Sequence, residues 1–135
     1  MVISEQEKAI YGSDDVAKIM STLLASEHET DQGREHFWTI GVNTKNIIQY
    51  IELVSLGSLN TAIVHPREVF RFAVMKGVAA ILLCHNHPSG DLNPSLLDME
   101  LTKRLREAGQ ILGIEVMDHV IIGKSGHGFS FRDKG

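Results

Sequence analysis

VAAILLCHNHPSG, residues 78–90, runs through seven apolar side chains without a polar break and then meets two histidines, a proline and a glycine. Such a run describes a strand buried on both faces, the centre of a sheet with helices above and below. Side chains alternate across a strand, so His85 and His87 point to one face while Cys84 and Asn86 point to the other. Pro88 holds the residue before it extended, which keeps His87 aligned with His85, and Gly90 lets the chain turn.

Outward from that strand the pattern alternates between helix and strand. Upstream, Pro66 suits a first helical position and Gly77 a helix end, so PREVFRFAVMK reads as a helix. Further back, HFWTIGVN and NIIQYIELVS are β-branched and aromatic and read as two strands joined by a turn at residues 43–45. The polar segment EHETDQGRE before them reads as a turn. Ser13 with Asp14 and Asp15 caps an amphipathic helix carrying Val16, Ile19, Met20, Leu23 and Leu24, which ends near Ser26. Downstream, a third helix puts Leu97, Leu101, Leu105, Ala108 and Leu112 on one face and stops at Gly113. IEVMDHVIIG is the last full strand, GKSGHG a turn, and FSFR a short edge strand. The expected fold is α/β, a mixed sheet flanked by helices, because the early hairpin is antiparallel and helical crossovers favour parallel neighbours.

With 135 residues and 43% hydrophobic content, the chain fits one domain over residues 1–135, with 1–12 and 124–135 as peripheral tails. A formal charge of −4 does not draw it toward nucleic acid, and the cluster Lys103, Arg104 and Arg106 reads as a solvated helix face. The absence of a long apolar stretch or a secretory leader leads to the expectation of a cytoplasmic protein with no membrane partner. One cysteine, Cys84, excludes an internal disulfide, a multi-cysteine metal site and the cysteine-liganded zinc of nucleobase deaminases. The letters HNH match a nuclease motif only in spelling.

The loop after the central strand holds the chemistry. Asp98 lies eleven residues past His87, and folding back of HPSGDLNP brings it to the strand end. Two imidazoles and a carboxylate leave one position of a tetrahedral zinc open, as a catalytic site needs. The same residues have other readings: Ser95 and Asp98 make a helix capping box, or Asn93 caps and Pro94 opens the helix. Taken together in one loop, they favour a metal. Cys84 reads as buried and inert. His65 and His119 read as structural hydrogen-bonding groups, His28, His36 and His127 as surface or loop residues, and Ser89 and Asn86 either as groups that orient the ligands or as turn residues.

Glu35, His85-Asn86-His87, seven residues, Ser95, two residues and Asp98 together resemble the signature of the JAMM (MPN-type) metalloproteases. HNHPSG, REHFW, VHPRE and MDHVIIG narrow the resemblance to the bacterial RadC-like branch over about residues 13–123. The resemblance implies a three-layer fold similar to that of cytidine deaminases. It also implies one Zn2+ per chain held by His85, His87 and Asp98, Glu35 as general base, and Ser95 as donor to the water or the oxyanion. Glu52 and Glu68 compete with Glu35 for the role of base. The implied reaction is hydrolysis of a peptide or isopeptide amide. The alternative is a metal-retaining module that recruits protein or DNA without turnover. Asn86 departs from the Ser or Thr usual between the histidines of the broader family, and the helix-hairpin-helix-like region common in the branch is not in this chain. The DNA-repair label of the branch finds no support in an acidic sequence.

Overall fold

The computed structural model describes residues 8–57, 64–124 and 126–134, together with the backbone of residues 2–3. In chain order the elements are β1 (Val2–Ile3), α1 (Ser13–Ala25), α2 (Glu29–Gln32), β2 (His36–Val42), β3 (Ile48–Leu56), α3 (Pro66–Lys76), β4 (Ala80–Asn86), α4 (Leu96–Leu112), β5 (Glu115–Ile122), β6 (Gly128–Ser130) and α5 (Phe131–Lys134). They form one six-stranded sheet in the order β1-β3-β2-β4-β5-β6. Residues of both end segments pair into it: β1 lies along β3, and β6 lies along β5. Residues 1 and 4–7, and Ser125 within the expected GKSGHG turn, lie outside the described residues.

The apolar run behaves as its composition demands. β4 is buried at all seven positions, antiparallel to β2 on one side and parallel to β5 on the other. Alternation along it divides the core in two. Leu82 and Cys84 pack with Trp38, Ile40 and Val120 against Val16, Met20 and Leu24 of α1. Ile81 and Leu83 pack with Phe37 and Val116 against Phe70 of α3 and Leu101 and Leu105 of α4. The sheet is therefore covered on both faces, and the architecture is the expected α/β mixed sheet between helices.

Several local expectations change. FSFR, expected as a short edge strand, divides between the end of β6 and the start of α5. The cap of α1 is Gly12, not Ser13, and makes no side-chain bond; the Asp15 carboxylate instead accepts from the Tyr11 N–H at 2.7 Å. The segment expected as a turn before β2 contains α2, capped by His28, whose ring accepts from the Thr30 N–H. In α4 the inward stripe is Asp98, Leu101, Thr102, Leu105 and Gly109, so Leu97 and Leu112 stay 41% and 49% exposed. Counting only apolar residues missed the rotation that turns Asp98 and Thr102 toward the sheet. No described helix is long and apolar enough to cross a membrane.

Candidate metal centre

Strand β4 carries His85 into the sheet, with no exposed surface, and His87 follows immediately, its N–H still bonded to the Ile122 carbonyl at 2.9 Å. Beyond Pro88 the chain turns at Gly90 (φ +88°), whose N–H closes on the His87 carbonyl at 3.0 Å. The loop then offers the Asp91 carbonyl to His87 Nδ1 at 2.7 Å. A carbonyl only accepts, so His87 carries its proton on Nδ1 and leaves a lone pair on Nε2 when neutral.

Helix α4 brings the third group. Its first turn is a capping box in which Ser95 Oγ accepts from the Asp98 N–H at 3.0 Å and Asp98 Oδ2 accepts from the Ser95 N–H at 2.8 Å. The cap and ligand readings of these residues are thus compatible: the cap fixes the rotamer that points Asp98 at the histidines. His85 Nε2 and His87 Nε2 stand 3.0 Å apart, with Asp98 Oδ1 3.2 Å from the first and Oδ2 3.1 Å from the second. Ligand atoms bound to zinc at about 2.0–2.1 Å lie roughly 3.3 Å apart at tetrahedral angles, close to the separation of the two Nε2 atoms and of each from its nearer Asp98 oxygen. Two nitrogens and one oxygen, all within 4.8 Å of one another, could hold such an ion and leave a position free for water.

The electrostatics agree. Burial by itself would raise the Asp98 carboxyl, but the hydrogen bonds and charge of His85, with those of Ser95, outweigh it and hold the group below the ordinary carboxylate range. Behind the triangle His119 is fully buried, and burial followed by the neighbouring His85 pushes it well below the ordinary histidine range. Its Nε2 lies 2.6 Å from His85 Nδ1 and its Nδ1 2.5 Å from Thr102 Oγ1. The sequence marks His119 only as a structural group, with no sign of its contact with His85, and does not single out Thr102. The readable signal was Thr102 four residues after Asp98, on the same side of a helix.

Glu35 precedes β2, and its placement is set by Asn86. Asn86 Oδ1 accepts from the His36 N–H at 2.6 Å and Nδ2 donates to the Arg34 carbonyl at 3.0 Å, so one side chain grips both neighbours of Glu35. The Glu35 carbonyl also accepts from the Gly57 N–H at 2.7 Å. Glu35, His87, Ser95 and Asp98 line one open cleft of about 1020 Å³ with Arg34 and Leu97. Glu52 lies on β3 opposite Thr39, and Glu68 on α3 is 3.3 Å from Arg71; neither lines the cleft.

The remaining candidates sort plainly. His65 caps α3 by accepting from the Arg67 N–H, and His127 is exposed. His36, expected at the surface, is fully buried and stacks on Trp38 with ring centroids 4.9 Å apart, because it begins a strand whose every position is covered. Cys84 is buried in the α1-side core, where burial pushes its thiol far up. Ser89 accepts from the Asp91 N–H within the loop. Lys103, Arg104 and Arg106 lie exposed on α4.

A family model described as a RadC-like JAB domain matches residues 10–135. A UPF0758 protein of Caldanaerobacter subterraneus is 59% identical over 102 residues, covering 76% of this chain and 43% of that protein. Another, from Listeria welshimeri, is 47% identical over 135 residues, 100% of this chain and 58% of its own. A third, from Chlorobium chlorochromatii, is 42% identical over 130 residues, 96% of this chain and 56% of its own. The chain thus spans about half the length of the curated relatives it matches.

Proposed function

The chain belongs to the family of RadC-like JAB domains, and from that premise we propose that it is a zinc-dependent hydrolase of amide bonds, a peptidase or isopeptidase that attacks with water. The observation that carries this reading is the approach of His85, His87 and Asp98 ligand atoms to within 4.8 Å of one another, with His87 and Asp98 lining a cleft that Glu35 and Ser95 also line. Zinc held there would act as a Lewis acid and bring the acidity of a coordinated water near neutral pH.

The chain's own groups complete the chemistry. Glu35, held by the Asn86 clamp, takes the proton from the attacking water and passes it to the departing amine. The Ser95 oxygen already accepts from the Asp98 N–H, so its hydroxyl hydrogen is available to donate to the developing oxyanion. The substrate is a polypeptide segment or a side-chain amide laid in the open cleft, and no covalent intermediate is needed.

The test joins metal analysis to turnover. Wild type is expected to hold about one zinc per chain, with His87→Ala and Asp98→Ala losing it, and to cleave a member of a panel of peptide and isopeptide substrates. Glu35→Gln should keep the zinc and lower turnover by about 10² to 10⁴. Zinc content indifferent to both ligand substitutions overturns the site. Full zinc with no hydrolysis across the panel leaves the metal-retaining recruitment module instead.

A further inference from the structure

Resting on the zinc reading above, we propose that His119 and Thr102 are positioning residues for this centre: they fix the His85 proton on Nδ1 and so keep its Nε2 lone pair turned toward the ion.

The direction of every link follows from one hydrogen. The Asp98 carbonyl can only accept, so the Thr102 hydroxyl commits its hydrogen there, at 2.7 Å. Thr102 Oγ1 also stands 2.5 Å from His119 Nδ1 and, with its hydrogen committed, must accept from that nitrogen. The His119 ring is neutral, because it is fully buried with Thr102 at one nitrogen, His85 at the other and Phe131 stacked on its face at 4.7 Å. None of these groups is a carboxylate that would balance a buried charge. A neutral imidazole protonated on Nδ1 accepts at Nε2. That atom lies 2.6 Å from His85 Nδ1, which therefore donates. In the neutral, metal-binding form of the ring, His85 Nε2 is left bare, facing His87 Nε2 and Asp98 Oδ1 at 3.0 and 3.2 Å.

The relay is shielded throughout, with Thr102 only 2% exposed and Phe37 stacked beside His85 at 6.2 Å and set edge-on to His119. It also closes on itself. Thr102 sits one turn after Asp98, so the hydroxyl that sets the tautomer of one ligand braces the backbone of another. Without Thr102 as acceptor, His119 is free to carry its proton on Nε2 and donate to His85. The His85 hydrogen then occupies Nε2, where the metal must sit.

Zinc affinity, measured by competition with a chromophoric chelator, and the imidazole nitrogen NMR shifts of metal-free protein together decide this. Thr102→Val and His119→Leu should weaken zinc by about 10- to 100-fold, while Thr102→Ser and His119→Gln, which keep the needed groups, stay near wild type. Metal-free wild type should show the His85 proton on Nδ1, and Thr102→Val a mixture. Thr102→Val is close to isosteric and guards against a His119→Leu chain that does not fold. Wild-type affinity in Thr102→Val, or a His85 proton on Nε2 in metal-free wild type, overturns the relay. A wild type that takes up no zinc yet keeps the proton on Nδ1 removes the zinc reading and upholds the relay.

Discussion

Asp98 Oδ2 accepts from the Ser95 N–H at 2.8 Å and lies 3.1 Å from His87 Nε2, so a single oxygen both begins a helix and faces the candidate metal position. Ser95 has the same double duty, and its two roles separate by substitution. Ser95→Ala removes the cap and should cost about 1 kcal/mol, whereas glycine at a cap costs only a few tenths. If the hydroxyl also donates during turnover, Ser95→Gly and Ser95→Ala fall equally in kcat with zinc retained, although only the second loses much stability; a Gly variant with full kcat would reduce Ser95 to a cap. Glu52 gives a prediction of the opposite electrostatic sign. Burial first, then Glu68, raises its carboxyl against the pull of Arg71, and its Oε1 has no hydrogen-bond partner among the described residues. A folded-state pKa above the unfolded one favours the fold below the unfolded pKa, near 4, and that advantage is lost as pH rises through the folded value. Glu52→Gln should therefore raise the denaturation midpoint at pH 7 to 8 and change it little below pH 4, and a shift independent of pH would refute this account. Among single residues, the candidate ligand cluster was legible because H-x-H at a strand end and S-x-x-D at a helix start constrain direction within a few positions. Thr102 and His119 were not, because their roles depend on a contact 17 residues long in sequence that no local period encodes.

Helix α4 shows how much of an element its composition discloses. Its existence and its Gly113 end were readable from cap chemistry, and Gly113 does sit at φ +73°; of the two starts the sequence offers, an Asn93 cap or the Ser95 capping box, the helix uses Ser95. The buried face was not, because Gly109 looks like a weakness in a helix yet faces inward. A Cβ there would lie 2.4 Å from the Ile114 carbonyl oxygen and 3.4 Å from Phe70. Alanine would gain up to about 1 kcal/mol of helix propensity, but the obstacle is backbone held by the Ile114 N–H bond to Gly109 O at 2.9 Å, and overpacking of this kind costs about 1–3 kcal/mol. The clash should win, so Gly109→Ala is expected to lose about 1–2 kcal/mol by urea denaturation. An equal or higher midpoint would mean that α4 can lift off β5 at little cost. The same contact explains why Leu112 is left outside: the helix is turned to bring Gly109 to the sheet.

The topology itself assembles the cleft. β2 lies between β3 and β4, and its antiparallel pairing with β4 places the start of β2 beside the end of β4, with Phe37 opposite His85. That pairing was not legible, since either neighbour order satisfies the apolar pattern, and with it went any local measure of where Glu35 lies. Asn86 is the residue that makes the pairing matter for function. Alternation along β4 sends its side chain away from His85 and His87, and it closes a contact 50 residues long in sequence with the His36 N–H. Asn86→Ala would leave the His36 N–H and the Arg34 carbonyl without this partner, a loss of about 1–3 kcal/mol where such groups are buried. The ligand triangle does not use Asn86, so zinc should remain at about one per chain while kcat falls, because Glu35 is no longer held between two fixed neighbours. Measured together, zinc content, kcat and denaturation midpoint distinguish the possibilities: loss of zinc would place Asn86 in support of the ligands, and full kcat on a destabilised chain would show that Glu35 reaches its position without the clamp.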